Sequence, residues 1–95
     1  MSTKDEYVRK MHSKLDHLNA EIDALAAKAD QAEAEARAGY HKQIETLRSK
    51  RDHARERMDA LQQSGEGAWE DMKAGVEMAW DAVGEALSSA RSRFK

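Results

Sequence analysis

The sequence predicts an all-α fold held together by helix pairing, and three observations carry that prediction. An apolar seam runs from Val8 to Leu61 in steps of three and four residues, the coiled-coil spacing, and the chain contains no proline. The stretch Ser64-Gly65-Glu66-Gly67 is the one convincing break. Beyond it lies a second apolar arc, about 100° wide, that collects both tryptophans and the one phenylalanine. The expected architecture is therefore a long coiled-coil helix over 4–63, a turn at 64–67 and an amphipathic helix over 68–94 folded back on the rod. One domain spans 1–95.

The first part of the seam is Val8, Met11, Leu15, Leu18, Ile22 and Leu25. Thr3 followed by Glu6 fits a capping box, and Asp5 and Glu6 suit the positive end of the helix dipole. Asn19 lies off the seam. From Ala24 to Ala38 alanine dominates. Helix propensity is highest there, yet large core residues vanish. Seam positions Ala29, Ala32 and Ala36 are small enough for two backbones to approach closely.

After Ala36 the strict heptad would reach Gly39 and Gln43, whereas the apolar residues stand at Tyr40 and Ile44. This one-residue skip relaxes the supercoil locally. A lone glycine does not end a helix, and no Pro, Asn, Asp or Ser lies between Arg37 and Lys42, so the helix is expected to continue with a bend. The seam resumes as Tyr40, Ile44, Leu47, Arg51, Ala54, Met58 and Leu61. Charged residues of 1–37 sum to −2 and those of 40–61 to +2, which suits antiparallel pairing of the two halves.

Gly65 is expected to take the left-handed position that ends a helix. The helix after it carries Glu70 and Asp71 in its first turn and Arg91, Arg93 and Lys95 in its last, as the dipole prefers. Its candidate packing and interaction face is Trp69, Met72, Val76, Trp80, Val83, Leu87 and Phe94, with Ala79 and Ala90 between them. Gly75 and Gly84 flank this face.

Composition narrows the function. Val, Ile, Leu and Phe together number only 12 of 95 residues, so the helices are expected to complete their core by pairing, including with another chain. A net charge of −2 lacks the basic bias of a nucleic-acid binder. The absence of cysteine excludes disulfides and thiolate chemistry. No run approaches the ~20 apolar residues of a membrane span, and the N-terminus shows no apolar leader. The expected location is cytoplasmic.

Chemistry-bearing motifs are sparse. His12 with Asp16, and His41 with Glu45, have the spacing of helix-face ligands, but read as surface histidines in a charged helix, so no metal site is expected, nor one at His17 or His53. Gly65-Glu66-Gly67 lacks the Lys-Ser/Thr of a phosphate loop. No catalytic residue, cofactor or small-molecule substrate is expected. The basic run from Arg48 to Arg57 is interrupted by Asp52 and Glu56 and has no aromatic for stacking, so it reads as a solvated flank. The Trp-rich C-terminal helix suggests a membrane surface, but its polar face carries Glu70, Asp71, Glu77, Asp81 and Glu85.

The segment Trp69-Glu70-Asp71-Met72-Lys73-Ala74-Gly75-Val76-Glu77-Met78-Ala79-Trp80-Asp81 resembles a family of small bacterial coiled-coil proteins described as stress-response proteins. The stretches from Lys4 to Val8, from Leu18 to Ile22 and from Ser92 to Lys95 resemble it too. The resemblance implies a bacterial, cytoplasmic, non-enzymatic protein linked to stress, and it carries over no catalytic or binding residue.

The expected function is structural or protein-interaction, with peripheral lipid binding through Trp69, Trp80 and Phe94 as the runner-up. The expected partner is a second copy in an antiparallel homodimer, its seam formed by Leu15, Leu18, Ile22, Leu25, Ala29, Ala32 and Ala36, alongside an unidentified protein partner. The alternative fold is a monomeric three-helix bundle with a turn near Gly39.

Overall fold

Folding the seam back on itself buries both of its halves within one chain. The computed structural model, which describes residues 3–94, does this with three helices, α1 (Thr3–Asp30), α2 (Ala34–Gln63) and α3 (Trp69–Arg93). The all-α bundle is as expected. The single helix over 4–63 is not: it breaks at residues 31–33, and the molecule measures 51 × 19 × 17 Å where a straight rod would be about 90 Å long. The turn of the alternative fold also lies elsewhere than expected. Gly39 is inside α2, and beyond its chain neighbours and the local helix backbone no atom lies within 4 Å of where its Cβ would stand.

The magnitudes explain why tertiary packing overrides local preference. Helix propensity separates ordinary residues by under ~0.7 kcal/mol each. Burying one large apolar side chain contributes about 1.5–3 kcal/mol. The break needs no glycine, and none of the described residues has positive φ. The last turn of α1 tightens, with the Gln31 and Ala32 N–H groups donating to the Lys28 and Ala29 carbonyls at 3.1 and 3.2 Å. Glu33 then turns extended (φ −61°, ψ 150°), and its carbonyl accepts from the Ala36 and Arg37 N–H groups, both at 3.0 Å.

The helices run up, down and up. Lys4 donates to the Ser64 carbonyl and Arg51 to Asn19 Oδ1 at 3.1 Å, which sets α1 antiparallel to α2. Asn19, off the seam in sequence, thus meets the polar seam residue Arg51 at the α1–α2 edge. Tyr7 stacks on Trp69 (centroids 5.9 Å apart) and Arg91 pairs with Glu21, which sets α1 parallel to α3. Tyr40 against Phe94, centroids 4.3 Å apart, closes the antiparallel α2–α3 pair.

Each helix gives one stripe to the core: Met11, Leu15, Leu18, Ile22, Leu25 and Ala29 from α1; Ile44, Leu47, Ala54, Met58 and Leu61 from α2; Trp69, Val76, Ala79, Val83 and Ala90 from α3. No polar or charged residue among those described is buried.

Two ends differ from expectation. At the α2 end Ser64 is extended (φ −74°, ψ 157°), and both its N–H and its hydroxyl donate to the Leu61 carbonyl. Gly65 has no left-handed conformation, because serine already satisfies that carbonyl. Thr3 is the first residue of α1 rather than its cap. Arg91 and Arg93 do stand in the last turn of α3, while Lys95 lies outside the described residues.

Candidate interaction surfaces

The expected packing face of α3 divides between its neighbours. Trp69, Val76 and Val83 are buried; Met72, Trp80, Leu87 and Phe94 are half-buried against the core. Trp69 is 6% exposed and is the deeper aromatic anchor. The tryptophan face folds back on the rod as two parts, one towards α2 and one towards α1. Trp69 meets Tyr7, while Trp80 and Leu87 line a groove of about 250 Å³ with Lys14, His17, Leu18 and Glu21. The phase of α3 explains this, because a helix in the notch between two others must split its apolar arc between both.

The expected dimer seam is placed inside this chain. Leu15, Leu18, Ile22, Leu25 and Ala29 are core residues, whereas Ala32 and Ala36 are half-exposed at the hinge.

The histidines are separated. His12 lies 3.4 Å from Gln62 Oε1, His41 pairs with Asp30 at 3.3 Å instead of Glu45, His17 lines the α1–α3 groove, and His53 is exposed on α2. No group of three or more metal-ligating side chains occurs among the described residues.

At the lower end, Tyr7 links three groups. Its hydroxyl donates to Glu77 at 2.9 Å, and Lys73 Nζ sits 5.1 Å from its ring centre. Burial pushes the Tyr7 phenol well above its ordinary value of 10.0, and the hydrogen bond to Glu77 and that carboxylate's charge push it the same way. Neighbours that favour the neutral phenol suit a structural clasp between α1 and α3.

A second groove, of about 310 Å³, runs between α2 and α3. Its α2 wall is Lys50, His53 and Arg57, at the i, i+3, i+7 spacing of one helix face. Its α3 wall is Gly75, Met78 and Ala82, with buried Ala79 beneath. Met78 is the one large apolar side chain exposed among the described residues, at 72%. The side chains of Lys50, His53 and Arg57 make no hydrogen bond or ion pair with a described residue. The α3 wall is small by sequence: the aliphatic stem of Arg57 passes 4.0 Å from where a Gly75 Cβ would stand. The α2 carboxylates Glu45, Asp52, Glu56 and Asp59 fall on the outer side of that helix, so the α2 wall of the trough carries the charges of Lys50 and Arg57 with the His53 imidazole between them, over an apolar floor.

Reading the run from Arg48 to Arg57 as one strip missed this. Helical phase sorts it: Arg51 turns towards Asn19 on α1, whereas Lys50, His53 and Arg57 share the α3 side. The residues were legible; the neighbour that makes a trough of them was not.

No helix among the described residues is long and apolar enough to cross a membrane. No family model matches the chain, and neither a curated protein nor a solved structure matches it.

Proposed function

We propose that this chain is a non-enzymatic protein-interaction module that takes an acidic amphipathic helix of a partner protein into the α2–α3 trough. The observation that carries the reading is the row Lys50, His53 and Arg57, whose side chains have no partner among the described residues, set beside the exposed Met78. A helix lying in this trough would present carboxylates at i, i+3 or i+4, and i+7 to the Lys50, His53 and Arg57 side chains, and small or aliphatic residues to Met78 and Ala82. Solvent-exposed ion pairs contribute only about 0–1 kcal/mol each, so the polar row sets orientation and the apolar floor supplies much of the affinity. Methionine suits such a floor because its flexible thioether adapts to different side chains. The resemblance to stress-response proteins supplies the setting for this reading, a bacterial cell under stress.

Lipid binding is the second reading. It would use Trp69, Trp80 and Phe94, but Trp69 is buried against Tyr7 and the other two are half-buried, so insertion would require α3 to leave the bundle. RNA is a poorer fit to the trough, since no Phe, Tyr or Trp lines it.

The test is calorimetric titration of the full chain with a designed helical peptide carrying Glu at i, i+4 and i+7 and Leu and Ala between them. Saturable 1:1 binding weakened about tenfold or more by Lys50→Glu with Arg57→Glu supports the reading. Undiminished binding by that variant, or binding only to anionic vesicles or RNA, overturns it.

A further inference from the structure

We infer that a second copy of this chain is also a partner, and that the two copies pair by exchanging α1. The hinge at residues 31–33 carries this exchange, independently of the trough.

Unlike an ordinary loop, this hinge keeps the helical phase of its flanks. Leu25, Ala29, Ala32, Ala36, Tyr40 and Ile44 follow one another in steps of three or four straight through the break. A connection that only had to reverse the chain has no reason to preserve that phase. The hinge residues Gln31, Ala32 and Glu33 include neither glycine nor proline, and Glu33 already has a helical φ of −61°, with only its ψ of 150° outside the helical range. Rotation there, with relaxation of its neighbours, lets α1 and α2 join into one helix.

Little holds the hinge closed. Arg37 donates to the Ala32 carbonyl, and His41 pairs with Asp30 between side chains that are 44% and 72% exposed. What keeps α1 in place is its core stripe, six buried residues from Met11 to Ala29. A released α1 therefore needs an acceptor of the same shape, and the α2–α3 pair of another copy is one. Exchange in both directions restores every α1 contact. It also adds a contact. The midpoint of the joined helix, Thr3 to Gln63, falls at Glu33, so the half-exposed Ala32 and Ala36 beside it in one copy cross those of the other where only two helices meet. Their small side chains permit that close crossing.

Ala34→Pro separates the two forms. In the hairpin, residue 34 is the first of α2, where proline is favoured, and Glu33 before it has the extended conformation that proline demands. In a joined helix the same proline would remove the bond to the Asp30 carbonyl and clash with it. Multi-angle light scattering of the full chain, refolded over a range from micromolar to millimolar, reads the outcome. The wild type is expected to move from the 10.7 kDa chain mass towards twice that value as concentration rises. Ala34→Pro is expected to stay at the chain mass with unchanged helicity. A second variant with Gly-Ser-Gly inserted after Ala32 should also stay monomeric. A wild type monomeric at every concentration, or variants that dimerise as the wild type does, overturns the inference.

Discussion

The Arg37 guanidinium reaches back across the hinge to donate to the carbonyl of Ala32 at 3.0 Å. A side chain from the first turn of α2 thus satisfies a carbonyl that the end of α1 leaves open. This contact belongs to the closed hairpin alone, because in a joined helix the Ala32 carbonyl would accept from the backbone of Ala36. Arg37→Ala should therefore raise the dimer fraction at a given concentration without loss of helicity. Sedimentation velocity on the matched pair checks this, and an unchanged distribution would show that the contact does not hold the hinge.

Gly39 tests where the chain turns. It lies inside α2 with open space around it, so Gly39→Ala should stabilise the protein by about 1 kcal/mol. For a domain of this size that raises Tm by roughly 4–8 °C. A turn at Gly39 would give the opposite sign, and thermal unfolding followed by circular dichroism distinguishes them.

Trp69 and Met78 sit on one helix with opposite exposure, 6% and 72%. Trp69→Ala should cost about 3–5 kcal/mol, since it removes a buried aromatic and its contact with Tyr7. Met78→Ala should change stability by no more than about 0.5 kcal/mol. Urea unfolding measures both. A large loss at Met78 would mean that this side chain supports the fold instead of a partner.

Much of this was legible in the sequence. The seam from Met11 to Leu61 and the arc from Trp69 to Phe94 supply the core, because helical periodicity records which face is buried. The hinge was not, because residues 31–33 carry no turn chemistry and their break is set by burial of distant side chains. The trough was not either: Lys50, His53 and Arg57 acquire a meaning only when Met78 and Ala82 are set beside them, and that register depends on the packing of α3.

Tyr7 predicts an alkaline weakening. Its folded phenol titrates above the ordinary value of 10.0, so the neutral form is the one that folding favours. Its contribution is complete below pH 10.0 and falls as pH rises from there through the folded value, because the unfolded chain releases the proton first. Denaturant midpoints measured from pH 8 to 11.5 (a range roughly bracketing the ordinary tyrosine value) should decline more steeply for the wild type than for Tyr7→Phe. Parallel declines would remove Tyr7 as the cause.

An acidic helix seated in the α2–α3 trough would contact both of its walls at once. The most direct measurement is a 15N-HSQC titration of the full chain with the Glu-bearing helical peptide. Amide shifts are expected to concentrate at Lys50, His53, Arg57, Gly75, Met78 and Ala82, saturating together and shrinking as salt is raised. Shifts centred instead on Lys14, His17, Trp80 and Leu87 in the α1–α3 groove, or no saturable shifts at all, would contradict it.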